Sequence, residues 1–248
     1  MRLFNREWRR VDKANYAQDG VIGFHNADWM KEPRFQAAYK AGEQTGSYPP
    51  GAAIHWRLHV LNWAADVGRR LEGDFVECGV NKGGFSLTIM RYLNFQTLPK
   101  RFWLYDTFEG LVDSQITEAE RAKGLRAGTY EPCYDQVVAT FAEFGDQVEI
   151  IRGPVPDTLD RSPDKVAFMS IDMNCAEPEI AAAEHFWPRL SPGALIVLDD
   201  YGWAGHINQK YAMDEFAARH GVHILTLPTG QGIISKGAPM PDLPFGPA

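Results

Sequence analysis

The chain has 248 residues, 45% of them hydrophobic and 23% charged, which excludes an intrinsically disordered protein because the apolar residues suffice for a core. Its 23 glycines and 16 prolines are too few for a collagen-like or low-complexity sequence. The net charge of −7 repels phosphate backbones, so we expect no nucleic-acid partner.

The sequence carries no recognisable membrane or export signal. It has no apolar run that approaches the roughly 18 residues a membrane span needs, and Met1–Trp8 lacks the apolar stretch of a signal peptide. The cysteines Cys78, Cys133 and Cys175 are odd in number and form no CxxC pair, which disfavours disulfides and zinc. We therefore expect a cytoplasmic protein with no membrane partner.

The first part of the chain has a mixed pattern. Residues 1–53 are rich in aromatic side chains and end in turn-forming residues over 46–51. Apolar residues then recur at helical spacing over 54–71, which predicts a helix there. We expect residues 1–53 to form a helical extension ahead of the main fold.

From residue 75 onward, short apolar runs alternate with stretches of helix length. The predicted strands cover 75–78, 102–105, 148–151, 167–171, 194–198, 223–227 and 232–235, and the predicted helices 84–95, 134–144, 176–190 and 208–220. Nearly continuous apolar strands separated by helices are typical of a parallel sheet covered on both faces. We predict a single α/β domain with a doubly wound, mostly parallel seven-stranded sheet over 54–236 and a Pro-rich tail over 237–248. Because no helix fits between the last two strands, they should form an antiparallel hairpin.

Acidic residues stand at the ends of the predicted strands, where such sheets bind their ligands. They are Glu77, Asp106, Asp172, Asp199 and Asp200. A ring of carboxylates does not stabilise a core, because desolvated carboxylates repel one another. The pattern therefore predicts a ligand that is cationic or rich in hydroxyl groups.

The first strand runs into a glycine-rich turn, Gly79–Ser86, at the start of a helix. Its spacing matches neither the dinucleotide fingerprint nor a P-loop, and Glu77 would repel a pyrophosphate but suits a ligand with a positive amine. The second strand ends in Asp106, which is placed to accept hydrogen bonds from a ribose diol. The alternative is that Asp106 only caps the following turn.

Asp172 and the pair Asp199-Asp200 follow the fourth and fifth strands of the core. Their separation fits one helix and one strand between adjacent strand ends, so their side chains should meet. Hard oxygen ligands from neighbouring strands suit Mg²⁺ better than zinc. The alternative is that one aspartate caps the next helix.

The histidines are weaker candidates for site residues than the aspartates. His55 and His59 stand at i, i+4, but Trp56 occupies the place of the zincin glutamate, so a structural or substrate-lining role is favoured over zinc. His206 follows the aspartate pair and is placed either towards a substrate or at the surface. The chain has no G-x-S-x-G nucleophile elbow.

Four segments make the sequence similar to a known family. They are Phe75–Val80 (FVECGV), Tyr105–Leu111 (YDTFEGL), Gly153–Leu159 (GPVPDTL) and Pro188–Gly202 (PRLSPGALIVLDDYG). In this order and spacing they resemble the macrocin O-methyltransferase (TylF/MycF-type) family of class I S-adenosylmethionine-dependent methyltransferases. The resemblance covers residues 54–236 and implies a Rossmann-like core.

The resemblance implies an enzyme that uses S-adenosylmethionine and Mg²⁺ to methylate a hydroxyl of a small molecule, most often a sugar of a natural product or a surface glycan. Asp172, Asp199 and Asp200 would hold Mg²⁺. The expected cofactor-binding residues are Glu77, Gly79, Gly83, Ser86, Asp106, Thr107, Phe108 and Asp157. Asp172 is the preferred general base, and His206 is the alternative.

The chain departs from the family pattern at Asn174-Cys175-Ala176, where the family has a second aspartate followed by a Leu-Tyr pair, and again near the end over Leu227–Lys236. The resemblance to the family therefore does not predict which acceptor this chain methylates. Two other functions stay open at this stage. One is a metal-independent methyltransferase acting on a phenol or a carboxyl group, and the other is a non-catalytic S-adenosylmethionine-binding module.

Two segments are too long for simple connections and flank the predicted cleft. They are residues 1–53 and the loop Val112–Cys133. We expect them to form a lid over the acceptor or a contact between subunits of a homo-oligomer. The tail Ala238–Ala248 is expected to be peripheral.

Overall fold

The computed structural model describes residues 13–49 and 51–237. The Pro-rich tail, which was expected to be peripheral, lies outside the described residues. The strands are β1 (Tyr16–Gln18), β2 (Val21–Gly23), β3 (Asp74–Cys78), β4 (Phe102–Asp106), β5 (Val148–Arg152), β6 (Val166–Ile171), β7 (Leu190–Leu198), β8 (Leu225–Thr226) and β9 (Gly232–Ser235). The α-helices are α1 (Pro33–Gln44), α2 (His55–Gly68), α3 (Gly84–Leu93), α4 (Glu118–Ala122), α5 (Tyr134–Phe141), α6 (Ala176–Phe186) and α7 (Ile207–Arg219).

Seven strands form one sheet in the order β5-β4-β3-β6-β7-β9-β8. The first five of that order are parallel, whereas β9 runs antiparallel to both β7 and β8. The predicted doubly wound, mostly parallel sheet with a terminal antiparallel hairpin is confirmed. None of the helices in the described part of the chain is both long enough and apolar enough to cross a membrane.

The central strands are apolar on both faces because each face has its own core. Successive residues of β3 point to opposite sides, so Phe75 packs in one core and Val76 in the other. The same alternation separates Phe168 from Met169 in β6, a strand whose residues are all buried. Helices therefore cover both faces, and the polar ends of the strands are left as the place for a ligand.

The N-terminal extension differs from the expected helical segment. Its described part, residues 13–49 and 51–53, contains a hairpin, β1–β2, whose turn residues Asp19 and Gly20 both have positive φ angles, and the helix α1 follows the hairpin. Helix α1 packs tightly on α3, because a Cβ on Gly42 would lie 2.1 Å from Oγ1 of Thr88. The extension is therefore packed against the sheet-bearing core.

Gly79 marks a close approach between the ends of β3 and β6. Its φ is +89°, and a Cβ there would lie 1.8 Å from the carbonyl oxygen of Asp172. The glycine-rich turn was expected to allow close approach of a ligand, but this glycine first allows the approach of a neighbouring backbone.

We expect Gly79→Ala to lower the free energy of unfolding by more than about 4 kcal/mol, because the added Cβ must push apart two buried strand ends. Gly128→Ala is the matched control. Gly128 also has a positive φ but nothing within 4 Å, so it should lose only about 1–2 kcal/mol. Urea unfolding of both variants measures the difference, and equal losses would contradict the close approach.

Candidate active site

A cleft of about 490 Å³ opens at the carboxyl ends of the parallel strands. The predicted site residues that line it are Glu77, Gly79, Asp106, Thr107, Phe108, Asp172, Asp199, Asp200 and His206. They come from β3, β4, β6 and β7 or from the turns after them, and these four strands are neighbours in the sheet. The sheet topology therefore brings together residues that lie up to 129 positions apart in the sequence (Glu77 to His206).

Glu77 lies at the bottom of the cleft and is 1% exposed. The hydroxyl of Ser86, on the first turn of α3, donates a hydrogen bond to it. Burial raises the pKa of Glu77 well above its usual value, and the charges of Asp106 and Asp199 add to this effect. A cationic group bound against Glu77 would favour its ionised form.

Ser47, which the sequence analysis did not single out, accepts a hydrogen bond from the first turn of α3. Gly83, which has a φ of +83°, precedes the helix, and the backbone N–H of Gly84 donates to Oγ of Ser47 at 2.8 Å. Ser47 and Tyr48 line the same cleft. The segment after α1 therefore forms part of the candidate cofactor site, whereas Gly83 and Ser86 support the site without lining it.

Asp106 is held by three backbone groups. Its Oδ2 accepts from the N–H of Val80 at 2.7 Å and of Asn81 at 2.8 Å, and its Oδ1 accepts from the N–H of Phe108 at 2.6 Å. The capping role considered above is thus present, and it also ties the turn after β3 to the turn after β4. The Thr107 hydroxyl also lies 3.3 Å from Oδ1, but it donates its single proton to the carbonyl of Gly110 at 2.6 Å. Because each carboxylate oxygen has about two acceptor positions, Oδ1 therefore retains capacity for a ribose hydroxyl.

Asp157 does not join the other predicted cofactor residues. It is exposed on the loop after β5, and the cleft is lined instead by Gly153, Pro154 and Val155 from that loop. The structure therefore gives no support to cofactor contact by Asp157, although it does bring its motif to the cleft.

Asp172, Asp199 and Asp200 converge as predicted. One carboxylate oxygen from each lies within 4.8 Å of the others, which is a spacing that a single metal ion can bridge. Burial raises the pKa of Asp172 well above its usual value, and the charges of Asp199 and Asp200 raise it further. The cluster therefore favours a bound cation.

A buried arginine on α2 contacts this cluster and was missed in the sequence. Nη1 of Arg57 lies 2.6 Å from Oδ2 of Asp199 and 3.5 Å from Oδ1 of Asp200, and its Nε lies 2.8 Å from Oδ2 of Asp19. Burial alone would lower the pKa of Arg57, but these carboxylates outweigh it and raise the pKa. The guanidinium is therefore charged. The available signal was an arginine on the buried face of an apolar helix, beside Leu58 and Leu61.

Two buried glutamates hold the loop between Asp172 and α6. Oε1 of Glu179 accepts from the N–H of Met173 at 3.1 Å, and Oε1 of Glu120 accepts from the N–H of Ala176 at 2.9 Å. Burial raises the pKa of Glu179 to about 8. Asn174 lies in this loop, between Met173 and Ala176. It has a φ of +60° and donates from Nδ2 to Oδ1 of Asp172 at 3.3 Å.

The loop Val112–Cys133 contributes to the wall of the cleft through Gln115 and Tyr130. It contains the short helix α4, whose capping box is formed by Thr117 and Glu120. Since Glu120 also accepts a hydrogen bond from the N–H of Ala176, this loop is connected to the segment that follows Asp172. Its roles as a lid or as a subunit contact stay predictions, as do the homo-oligomer and the cytoplasmic location.

The three histidines differ in environment. His59 stacks on Trp29 with ring centroids 3.9 Å apart, and His55 stacks on Tyr39 at 4.3 Å, so both belong to an aromatic cluster rather than to the cleft. His206 does line the cleft, and its Nε2 lies 3.9 Å from Oδ2 of Asp200. Of these histidines, only His206 is placed for chemistry.

The sheet order and the acid-lined strand ends define the Rossmann-like fold of class I methyltransferases. A solved structure of the O-methyltransferase NovP shares this fold, with a TM-score of 0.64 and 23% identity, over 73% of this chain and 80% of that one. The family model for macrocin-O-methyltransferase (TylF) matches residues 44–226. The chain therefore belongs to the macrocin O-methyltransferase family.

Two curated relatives are similar in sequence. An 8-demethyl-8-(2,3-dimethoxy-α-L-rhamnosyl)-tetracenomycin-C 4'-O-methyltransferase of Streptomyces olivaceus is 31% identical over 159 residues, which are 60% of each protein. A mycinamicin III 3''-O-methyltransferase of Micromonospora griseorubida is 26% identical over 216 residues, or 80% of this chain and 82% of that protein. The chain thus spans about 60% of the length of the first of these relatives in the matched region.

We expect Asp106→Asn to destabilise the protein by about 1–3 kcal/mol, because the amide nitrogen cannot accept from the backbone N–H groups that the lost oxygen served. Asp157→Asn serves as the control, since its side chain is exposed and should change the free energy of unfolding by less than about 0.5 kcal/mol. Urea unfolding measures both. An Asp106→Asn variant as stable as the wild type would show that Asp106 does not stabilise the turns after β3 and β4.

Proposed function

We propose that this chain transfers a methyl group from S-adenosylmethionine to a hydroxyl on a sugar of a natural product, with Mg²⁺ at Asp172, Asp199 and Asp200. One observation carries the proposal. A single cleft connects Glu77 and Asp106 to the three aspartates, which supports binding of a methyl donor beside a hydroxylated acceptor. Proximity of this kind supplies much of the catalysis of a displacement between two substrates.

The chemistry of the residues fits S-adenosylmethionine. Glu77 offers a buried carboxyl group whose ionised form a bound amino group would favour, Asp106 keeps an acceptor position for the ribose, and Phe108 provides an apolar wall for the base. When bound, the cofactor supplies an electrophilic sulfonium methyl group. The protein's part is to orient it and to exclude water from the reacting oxygen.

The acidic cluster fits Mg²⁺ in donor type, number and charge. Its three oxygen donors can converge on one ion, and their mutual repulsion is relieved by a cation. When bound, Mg²⁺ would act as a Lewis acid that makes an acceptor hydroxyl more acidic. The three aspartates would hold the ion at the carboxyl ends of β6 and β7.

A sugar is the acceptor that the lining residues favour. The two relatives described above are named as O-methyltransferases of a rhamnosyl-tetracenomycin and of mycinamicin III, and the first of these names includes a sugar. In this chain, Tyr130 and His206 offer polar groups near the aspartates, and Trp203 presents a half-exposed indole in the lining of the cleft. Hydroxyl groups and the apolar face of a sugar ring complement these two kinds of side chain.

Two residues compete for the proton of the acceptor hydroxyl. Asp172 was preferred from the sequence, but a carboxylate that holds the cation is poorly suited to take up a proton as well. His206 lies beside Asp200 without being part of the three-oxygen cluster. We therefore propose His206 as the general base, with Asp172 as the alternative.

A metal-independent methyltransferase is the competing function, and one observation favours it. Arg57 already neutralises part of the acidic cluster through its contact with Asp199. The two functions differ in their response to a chelator, because a metal-independent enzyme would keep its rate in excess EDTA.

We expect EDTA to reduce methyl transfer by at least about 100-fold and Mg²⁺ to restore it, because charge on the reacting oxygen is no longer stabilised. Asp172→Asn should have the same effect. It should bind S-adenosylhomocysteine nearly as well as the wild type, since Glu77 and Asp106 lie on other strands. Formation of S-adenosylhomocysteine with mycinamicin III or the rhamnosyl-tetracenomycin as acceptor gives the rate, and calorimetry gives the affinity.

Asp146→Asn is the control for this experiment, because Asp146 is exposed and lies outside the cleft. It should keep full activity and full sensitivity to EDTA. An enzyme that turns over at an undiminished rate in EDTA would establish the metal-independent function instead.

We expect His206→Gln to lower kcat by about 10²–10⁴-fold while KM for the acceptor changes little, because the side chain is needed for proton transfer rather than for binding. His185→Gln is the control, since His185 bonds to Ser162 on another part of the molecule. If His206→Gln kept most of its activity, the proton acceptor would be Asp172.

A further inference from the structure

Arg57 occupies an unusual position for a charged side chain. It projects from the buried face of α2 and is 7% exposed. Its guanidinium contacts carboxylates from two distant parts of the chain, namely Asp19 at the tip of the β1–β2 hairpin and Asp199 at the end of β7. A buried charge of this kind is retained only when it is paired.

The charges around Arg57 do not balance. Four aspartates, Asp19, Asp172, Asp199 and Asp200, line the cleft around this one guanidinium. Across residues 13–49 and 51–237, no other arginine or lysine comes within 4.0 Å of any of these four carboxylates. The cluster therefore has one permanent cation and an excess of negative charge.

The three clustered aspartates are held unequally. Asp199 is bound on both oxygens: Oδ2 accepts from Arg57 at 2.6 Å, and Oδ1 accepts from Nε2 of Gln231 at 3.0 Å. Gln231 is fully buried, and Oγ1 of Thr229 donates to its Oε1 at 3.0 Å, which fixes the orientation of the amide.

The other two aspartates have longer contacts. Oδ1 of Asp172 accepts from Asn174 at 3.3 Å, and Asp200 lies 3.5 Å from Arg57 and 3.9 Å from His206. These two carboxylates therefore retain more freedom to bind a ligand in the cleft than Asp199 does.

We infer that Arg57 is the resident cation of the acidic cluster, which holds the three aspartates together before a divalent ion binds and anchors Asp199 as the fixed member of the set. The inference rests on the Mg²⁺ site of the proposed function. It assigns a positioning role to Arg57, which acts through Asp199 and not on the acceptor.

The same contact gives the N-terminal hairpin a role in the site. Asp19 binds Nε of Arg57 while Asp199 binds Nη1, so the planar guanidinium is fixed from two sides. The hairpin thus completes the support of a metal ligand that lies 180 residues further along the chain (199 − 19).

The test compares melting temperatures in excess EDTA and in millimolar Mg²⁺. Wild-type protein should stay folded in EDTA and gain little from Mg²⁺. Arg57→Met should melt lower in EDTA, because the buried aspartates are left without a cation. It should then gain about 5 °C or more from Mg²⁺ beyond the wild-type gain.

Three further variants separate charge from packing. Arg57→Met/Asp199→Asn should melt closer to the wild type in EDTA than Arg57→Met does, because the uncompensated carboxylate is gone. Arg57→Lys should show an intermediate gain from Mg²⁺, and it carries the comparison if Arg57→Met does not fold. Arg219→Met removes an arginine from a surface pair with Glu184 and should leave the gain unchanged.

The failures are distinguishable. Equal gains from Mg²⁺ in the wild type and in Arg57→Met would overturn the inference and leave the metal site intact. No gain in any variant, together with no binding of Mn²⁺ by calorimetry, would reject the metal of the proposed function and the inference with it.

Discussion

The site depends on how carboxylates are kept charged or paired at strand ends that are partly withdrawn from water. Each of them has its own donors. Glu77 is held by the hydroxyl of Ser86, Asp106 by backbone N–H groups, and Asp199 by Arg57 and Gln231. Without these donors the repulsion among the acids would oppose formation of the sheet end itself. The segments that supply them therefore stabilise the acidic end of the sheet.

Much of the support lies outside the core that the sheet defines. The N-terminal hairpin contributes Asp19, the segment after α1 contributes Ser47, and the loop Val112–Cys133 contributes Glu120. Each of these makes a polar contact with a residue that lines the cleft or with the backbone next to one. The sheet thus carries most of the site residues, while segments outside the sheet hold them in place.

The sheet and its acidic ends could be predicted from the sequence because both depend on local patterns. Apolar runs such as 167–171 identify buried strands, and the residue after each run falls at the ligand-binding edge. Arg57 and Gln231 could not be found in this way, since their partner Asp199 lies 142 and 32 residues away. The hairpin did have a local signal, Asp19-Gly20 between short apolar stretches, which the aromatic-rich pattern obscured. Asp157 shows the opposite error, because a motif can reach the cleft without every member of it doing so.

The contact between Gly79 and the carbonyl of Asp172 has a consequence for movement. The two halves of the cleft, one with Glu77 and the other with Asp172, are built on β3 and β6, and at this contact the two backbones leave no room for a Cβ atom. The two halves cannot slide past each other without breaking the pairing of adjacent strands. The distance between Glu77 and the aspartate cluster is therefore set when the sheet forms, and a change in the shape of the cleft has to come from the segments around the sheet.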